Sequence, residues 1–318
     1  MATCKNCGSQ LILMGGKCVY CGWVPDESSR PEESNKAGGK SKQIIQRRTS
    51  ATKGGQSPYS QYAGQSIIPG AKTDRFGNPQ GSKYDLAKDG AFKGYKIVVL
   101  ALYHYGDVPG TNIMSNAAPA LQKKGMTTKM FVSNECNDVK RIQEELNNDK
   151  CQLWLISDDF YNLSSDCCKL IYDHFNRGRG LYIWSDNDPL YADSNVLLRK
   201  LFNTEMSGNY AGDQVLTIQS GEKRPGIIKN HPITTGLQNF YEGITISNVR
   251  LTQELKPLVY SSDGKIVTAY YDMAGKRALI DGGFTRLFYK WNSAGTDRFV
   301  VNCAAWLTNI ERFGYHPE

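Results

Sequence analysis

The chain has 318 residues, 40% hydrophobic and 22% charged, with a formal net charge of +7, and its apolar residues concentrate after Tyr95, so one sizeable core with appendages is expected. The longest apolar strip, residues 97–103, falls far short of the roughly 20 residues a membrane helix requires, and no amino-terminal apolar segment precedes it, so a soluble, cytoplasmic protein without membrane contact is expected. A charge of this size bears on solubility and encounter and does not by itself mark a nucleic-acid binder.

The amino terminus carries two CxxC knuckles, Cys4-Lys5-Asn6-Cys7 and Cys18-Val19-Tyr20-Cys21, with ten residues between them. Four thiolates at this spacing close a tetrahedron around Zn²⁺, and Gly8 and Gly22 let backbone N–H groups approach the sulfurs. The spacing predicts a zinc ribbon over residues 1–24 with Cys4, Cys7, Cys18 and Cys21 as ligands. So short a segment buries too little apolar surface to order itself, whereas structural zinc contributes about 10–16 kcal/mol. The competing readings are disulfides or a redox pair, but no strand–helix context for a redox CxxC follows. With every ligand a cysteine, no position is left for a catalytic water, so the ribbon is expected to bind a partner. Cys136, Cys151, Cys167, Cys168 and Cys303 have no regular spacing and read as reduced core thiols.

Residues 25–93 are rich in Gly, Ser, Gln and Lys without a sustained period, and read as a flexible linker with an r.m.s. span of roughly 45 Å. Its basic stretch, Lys36 to Lys53, lacks acidic residues; a solvated tether is expected, with nucleic acid or an acidic partner as the alternative.

From residue 94 strands alternate with helices. Residues 95–103 read as a buried parallel strand, followed by a short helix around Ala117–Leu121 that stops at Gly125. Residues 127–132 pair with a helix carrying Val139, Ile142 and Leu146, and residues 152–156 with one carrying Cys167, Leu170, Ile171, His174 and Phe175. A strand over residues 180–184 and a helix over 196–202 follow. The alternation specifies an α/β, doubly wound, mostly parallel sheet. Short strands over 258–260, 265–271 and 277–281, separated by Asp263-Gly264 and Ala274-Gly275, predict an antiparallel carboxy-terminal extension. A closing helix begins near Thr296, capped by Thr296 or Asp297, and the domain ends near residue 312, leaving a tail over 313–318.

In such a sheet the ligand crevice lies beyond the carboxyl ends of the strands. That gathers His104, Tyr105 and Asp107, then Ser157, Asp158 and Asp159, then Ser185, Asp186, Asn187 and Asp188. His104, Asp158, Asp159 and Asp186 are the candidate site: carboxylates there can hold a hard cation, or one can serve as a general base with His104. The competing reading is that Asp, Asn and Ser at strand exits are turn formers and helix caps.

The order of elements, the segment His231-Pro232-Ile233-Thr234-Thr235-Gly236-Leu237, the strand Arg277-Ala278-Leu279-Ile280-Asp281-Gly282-Gly283 and the terminal Ala304-Ala305-Trp306-Leu307 resemble the class I glutamine amidotransferase-like superfamily, in particular its ThuA-like branch. The resemblance covers about residues 94–310 and implies a flavodoxin-like sheet. It also implies a glutaminase Cys-His-Glu triad with the cysteine on a strand-to-helix elbow, which this sequence lacks. Residues 181–184 lead into Ser185-Asp186-Asn187-Asp188-Pro189 without a glycine-flanked cysteine, and Asp281-Gly282-Gly283-Phe284 stands where the histidine is expected. Tyr315-His316-Pro317-Glu318 imitates the family signature but follows the last helix.

The sequence therefore favours a non-catalytic amidotransferase-like binding or assembly module with a tethered zinc ribbon for a protein partner. The alternatives are a hydrolase-type enzyme acting on a small polar substrate through the strand-end carboxylates, and nucleic-acid binding through the ribbon and basic linker.

Overall fold

The computed structural model describes residues 13–14, 17–18, 57–104, 112–219 and 224–318. The chain divides into two compact units, Met1–Lys53 and Gly54–Glu318. In the first, β1 (Leu13–Met14) and β2 (Lys17–Cys18) pair antiparallel, Leu13 opposite Cys18 and Met14 opposite Lys17. Cys4, Cys7 and Cys21, and with them the expected zinc tetrahedron, lie outside the described residues.

The second unit begins its regular structure with β3 (Lys96–Ala101), α1 (Ala117–Lys123), β4 (Thr127–Val132), α2 (Val139–Leu146), β5 (Cys151–Ile156), α3 (Ser165–Asn176), β6 (Leu181–Trp184) and α4 (Ala192–Phe202). Six strands follow between residues 206 and 260: β7 (Met206–Ala211), β8 (Val215–Gln219), β9 (Gly226–Ile228), β10 (Asn239–Tyr241), β11 (Thr245–Val249) and β12 (Leu255–Tyr260). The chain closes with β13 (Ile266–Met273), β14 (Lys276–Asp281), α5 (Thr285–Phe288), α6 (Thr296–Leu307) and α7 (Ile310–Phe313).

Strands β4, β3, β5, β6 and β14 lie side by side in that order, every neighbouring pair parallel. Counted along the chain this is 2-1-3-4-5, the flavodoxin-like order. Alternate residues of each strand point to opposite faces, so both faces carry a core. Ile97, Val99, Trp154, Ile156, Tyr182, Trp184 and Leu279 face α1 and α6. Val98, Leu100, Leu153, Leu155, Leu181, Ile183 and Ile280 face α2, α3 and α4.

The antiparallel extension is larger than the sequence suggests. β14 belongs to the parallel sheet through β6, and only on its other side does it pair antiparallel with β13, which continues through β12 and β9 to β8 and β10. The β13–β14 hairpin turns on Ala274 and Gly275 with φ of 51° and 69°, the conformation a primed turn requires. β7 and β11 form a separate two-stranded sheet. Strands β7 to β11 escape sequence reading because they are short and half-polar.

The expected linker over 25–93 is corrected from residue 57 onward. Leu86 and Phe92 are fully buried, and Leu86 N–H donates to Asn302 Oδ1 at 2.7 Å. Asp85 sits between two cations, accepting from Arg298 Nε at 2.7 Å and facing Lys124 Nζ at 2.7 Å. The Asn78 side chain bonds to the backbone of Gln238 and Asn239. This segment has no period because it neither coils nor pairs as a strand; isolated anchors and polar bonds fix it. The tail is likewise held, Tyr315 Oη donating to Ala91 O and Glu318 N–H to Lys93 O. Its His316 therefore lies near the amino end of β3, at the opposite end of the strand from His104. Gly295, not Thr296 or Asp297, is the N-cap of α6, at φ 64°.

Candidate functional site

The chain leaves β3 for β4 on one side of it and comes back to β5 on the other. Connections diverge at the carboxyl ends of β3 and β5, and that divergence opens a crevice in folds of this order. His104 follows β3 by three residues, and Asp158 and Asp159 follow β5 by two and three, with Ala101 and Ile156 in register.

His104 Nδ1 pairs with Asp158 Oδ2; Asp158 is fully buried while the imidazole is 58% exposed. The donor atoms of His104, Asp158 and Asp159 all lie within 4.8 Å of one another. Asp158 Oδ1 and Asp159 Oδ1 are buried without a hydrogen-bond partner among the described residues. The Phe160 ring stacks beside His104, centroids 6.3 Å apart at 23°, and Phe160 and Tyr161 are 62% and 70% exposed.

The first turn of α4 holds this loop in place. Ala192 N–H donates to Asp158 O at 3.0 Å, and Ser194 N–H to Ser157 Oγ at 3.1 Å. Asp193 accepts from the N–H groups of Asn162 and Leu163, each at 2.9 Å. Burial pushes the Asp193 carboxyl up from its ordinary value, against the pull of those donors. Sequence reasoning missed Asp193; its only signal was an acidic residue in the first turn of a helix.

Asp186 does not join the cluster. It accepts from Asn187 N–H at 2.9 Å and Thr245 Oγ1 at 3.4 Å, facing β11, and burial pushes its carboxyl up to about 6. Ser185 is buried against Ser194 Oγ at 2.7 Å. Asn187 accepts from Thr245 Oγ1, and Asp188 binds the Tyr191 hydroxyl. Tyr105 and Asp107 lie outside the described residues.

Asp281 and Arg286 turn inward. Both are fully buried and paired, Asp281 also accepting from Tyr182 Oη, Thr268 Oγ1 and Gly283 N–H. Cys136, Cys151, Cys167, Cys168 and Cys303 are buried free thiols, as expected from their irregular spacing. Burial pushes Cys136, Cys151 and Cys167 up to about 12 and Cys168 to about 11, and raises Cys303 well above its ordinary value. His174 and His231 are pushed down to about 3 by burial, with arginine charge adding to it. His231 Nδ1 accepts from Ile233 N–H, and its ring packs on Tyr270 and Trp306. Among the described residues no helix is long and apolar enough to cross a membrane.

No family model and no curated protein matches the sequence. Among solved structures, the chain is similar to a cytoplasmic protein of Salmonella typhimurium LT2 at 12% identity and TM-score 0.46, over 70% of this chain and 100% of that one. A ThuA-like protein from Parabacteroides merdae matches at 11% identity and TM-score 0.45, over 68% and 90%. A GMP synthase subunit from Thermoplasma acidophilum matches at 11% identity and TM-score 0.37, over 67% and 95%.

Proposed function

We propose that the chain is a binding module: an amidotransferase-like domain whose carboxyl-edge crevice takes a small polar ligand, joined to a zinc ribbon on Cys4, Cys7, Cys18 and Cys21 that contacts a protein partner. The observation that carries this reading is the convergence of His104, Asp158 and Asp159 where the connections of β3 and β5 diverge, the place this strand order reserves for ligands. The buried thiols support a role without glutaminase chemistry, since a thiol raised to about 11 or 12 holds almost no thiolate at neutral pH. The β1–β2 hairpin, with the Cys18 backbone on its second strand, suits a ribbon.

The test is a thermal-shift panel of small polar compounds on the full chain, run beside His104→Ala. Stabilisation by a compound that disappears in the variant is the expected result. Ligands that stabilise wild type and His104→Ala equally would place binding elsewhere and reject the crevice. A second reading, a hydrolase-type enzyme for small polar substrates, is favoured by carboxylate oxygens without a hydrogen-bond partner among the described residues, beside an exposed imidazole. It requires turnover of an ester or phosphoester substrate that His104→Ala abolishes.

A further inference from the structure

Resting on the crevice reading, we infer that His104, Asp158 and Asp159 hold a divalent transition-metal cation of the Mn²⁺ or Zn²⁺ type, with coordination positions left open for the oxygen of a small ligand. Ligands about 2.0–2.2 Å from one ion stand roughly 3–4.4 Å apart, and one donor atom of each residue lies within 4.8 Å of the others; the His104 Nδ1–Asp158 Oδ2 contact is closer than that and opens when an ion enters between them. The second observation is independent of that spacing. Asp158 is fully buried, yet Oδ1 receives no hydrogen bond among the described residues, and Asp159 Oδ1 is in the same condition. A carboxylate oxygen taken out of water normally acquires a donor or a cation.

Among the described residues neither lysine nor arginine supplies it. Among the described residues the ion-pair partner of Asp158 is His104, and no lysine or arginine pairs with Asp158 or Asp159. The two carboxylates thus meet one imidazole, with no lysine or arginine among the described residues to neutralise them. The donors also stand on fixed supports: the ends of two paired strands, with the following loop tied by Asp193. Mixed nitrogen and oxygen ligation favours Mn²⁺ or Zn²⁺ over Ca²⁺ and Mg²⁺, which prefer oxygen alone. Three protein ligands leave vacant positions, and the exposed edge of His104 beside Phe160 and Tyr161 gives a small molecule access to them.

Mn²⁺ binding to the full chain, followed by water-proton relaxation, tests the inference; Mn²⁺ is the probe because thiolate sites favour Zn²⁺ over it. The expected result is saturation at one Mn²⁺ per chain, weakened at least about tenfold in Asp159→Asn and in His104→Ala. Asp158→Asn should lose the ion while melting, metal-free, no lower than wild type, which separates lost ligation from lost folding. The absence of saturable Mn²⁺ binding in wild type, or binding unchanged in both Asp159→Asn and His104→Ala, would overturn it. His104-dependent stabilisation by a small ligand that survives EDTA also overturns the cation but leaves the crevice reading standing.

Discussion

Replacing Asp281 by alanine removes the counter-charge of an arginine that has no access to water. The Arg286 guanidinium is fully buried, donates to Glu242 O and Thr268 Oγ1, and lies 4.7 Å and 5.4 Å from the ring centroids of Phe240 and Phe299. Breaking a buried pair from one side costs about 3–5 kcal/mol, because the remaining charge is left uncompensated. Three donors also lose their acceptor: Tyr182 Oη and Thr268 Oγ1, each at 3.1 Å, and Gly283 N–H at 3.0 Å. Tyr182 keeps a contact with Cys303 Sγ at 3.7 Å, and Thr268 its bond to Arg286. The middle of the range, about 4 kcal/mol, is therefore expected. At about 2–4 °C per kcal/mol for a domain of this size, the melting temperature should fall by roughly 8–16 °C. Urea titrations followed by fluorescence of the buried Trp154, Trp184 and Trp306 measure the loss. The double variant Asp281→Leu/Arg286→Met removes both charges at similar volume and should recover to within about 2 kcal/mol of wild type. A loss below about 1 kcal/mol in Asp281→Ala, or a double variant as unstable as the single one, would refute the buried-charge argument.

Three further outcomes are expected. Burial lifts the Asp186 carboxyl from its ordinary 3.8 to about 6, so the native state favours its protonated form. The penalty is absent below about pH 3, where both folded and unfolded states are protonated, and grows to about 3 kcal/mol as pH rises past 6. Asp186→Asn should match wild type at pH 3 and exceed it by about 2–3 kcal/mol at pH 7.5; a gap in urea midpoint that does not change with pH contradicts this. A chain beginning at residue 94 loses Leu86, Phe92 and Asp85 from the core and should unfold far more easily than one beginning at residue 57, as calorimetry of both will show. Cys18→Ser should abolish zinc at the four-cysteine site by elemental analysis while leaving the melting transition of residues 54–318 nearly unmoved; a large drop in that transition rejects the independence of the two units.

The parallel half of the sheet is legible in the sequence because its strands are buried on both faces. Runs such as Ile97 to Ala101 and Leu153 to Ile156 show continuous apolar character, and the helices between them show one apolar side. β7, with exposed or half-exposed residues along most of its length, has no such run, and β9 and β10 are three residues each. The strand-exit rule placed His104, Asp158 and Asp159 at one edge. It did not separate them from Asp186, because the direction a carboxylate takes after a strand depends on partners distant in sequence, here Thr245. Arg286 gave no sign of its burial for the same reason: its neutralising Asp281 is close in sequence, but the rings around it come from Phe240 and Phe299.

Two anchors of residues 57–93 lie on α6. Leu86 bonds to Asn302 across 216 positions, and Asp85 to Arg298 across 213. During synthesis at about 5–20 residues per second, the segment waits roughly 10–40 s before its partners on α6 leave the ribosome. Over that interval Leu86 and Phe92 have no core to enter, and the face of the sheet that α6 covers stays open. Docking of the earlier-made part of the domain onto α6 is thus expected to be a late event in folding, and the stretch around Leu86 and Phe92 is where a chaperone would be needed before it.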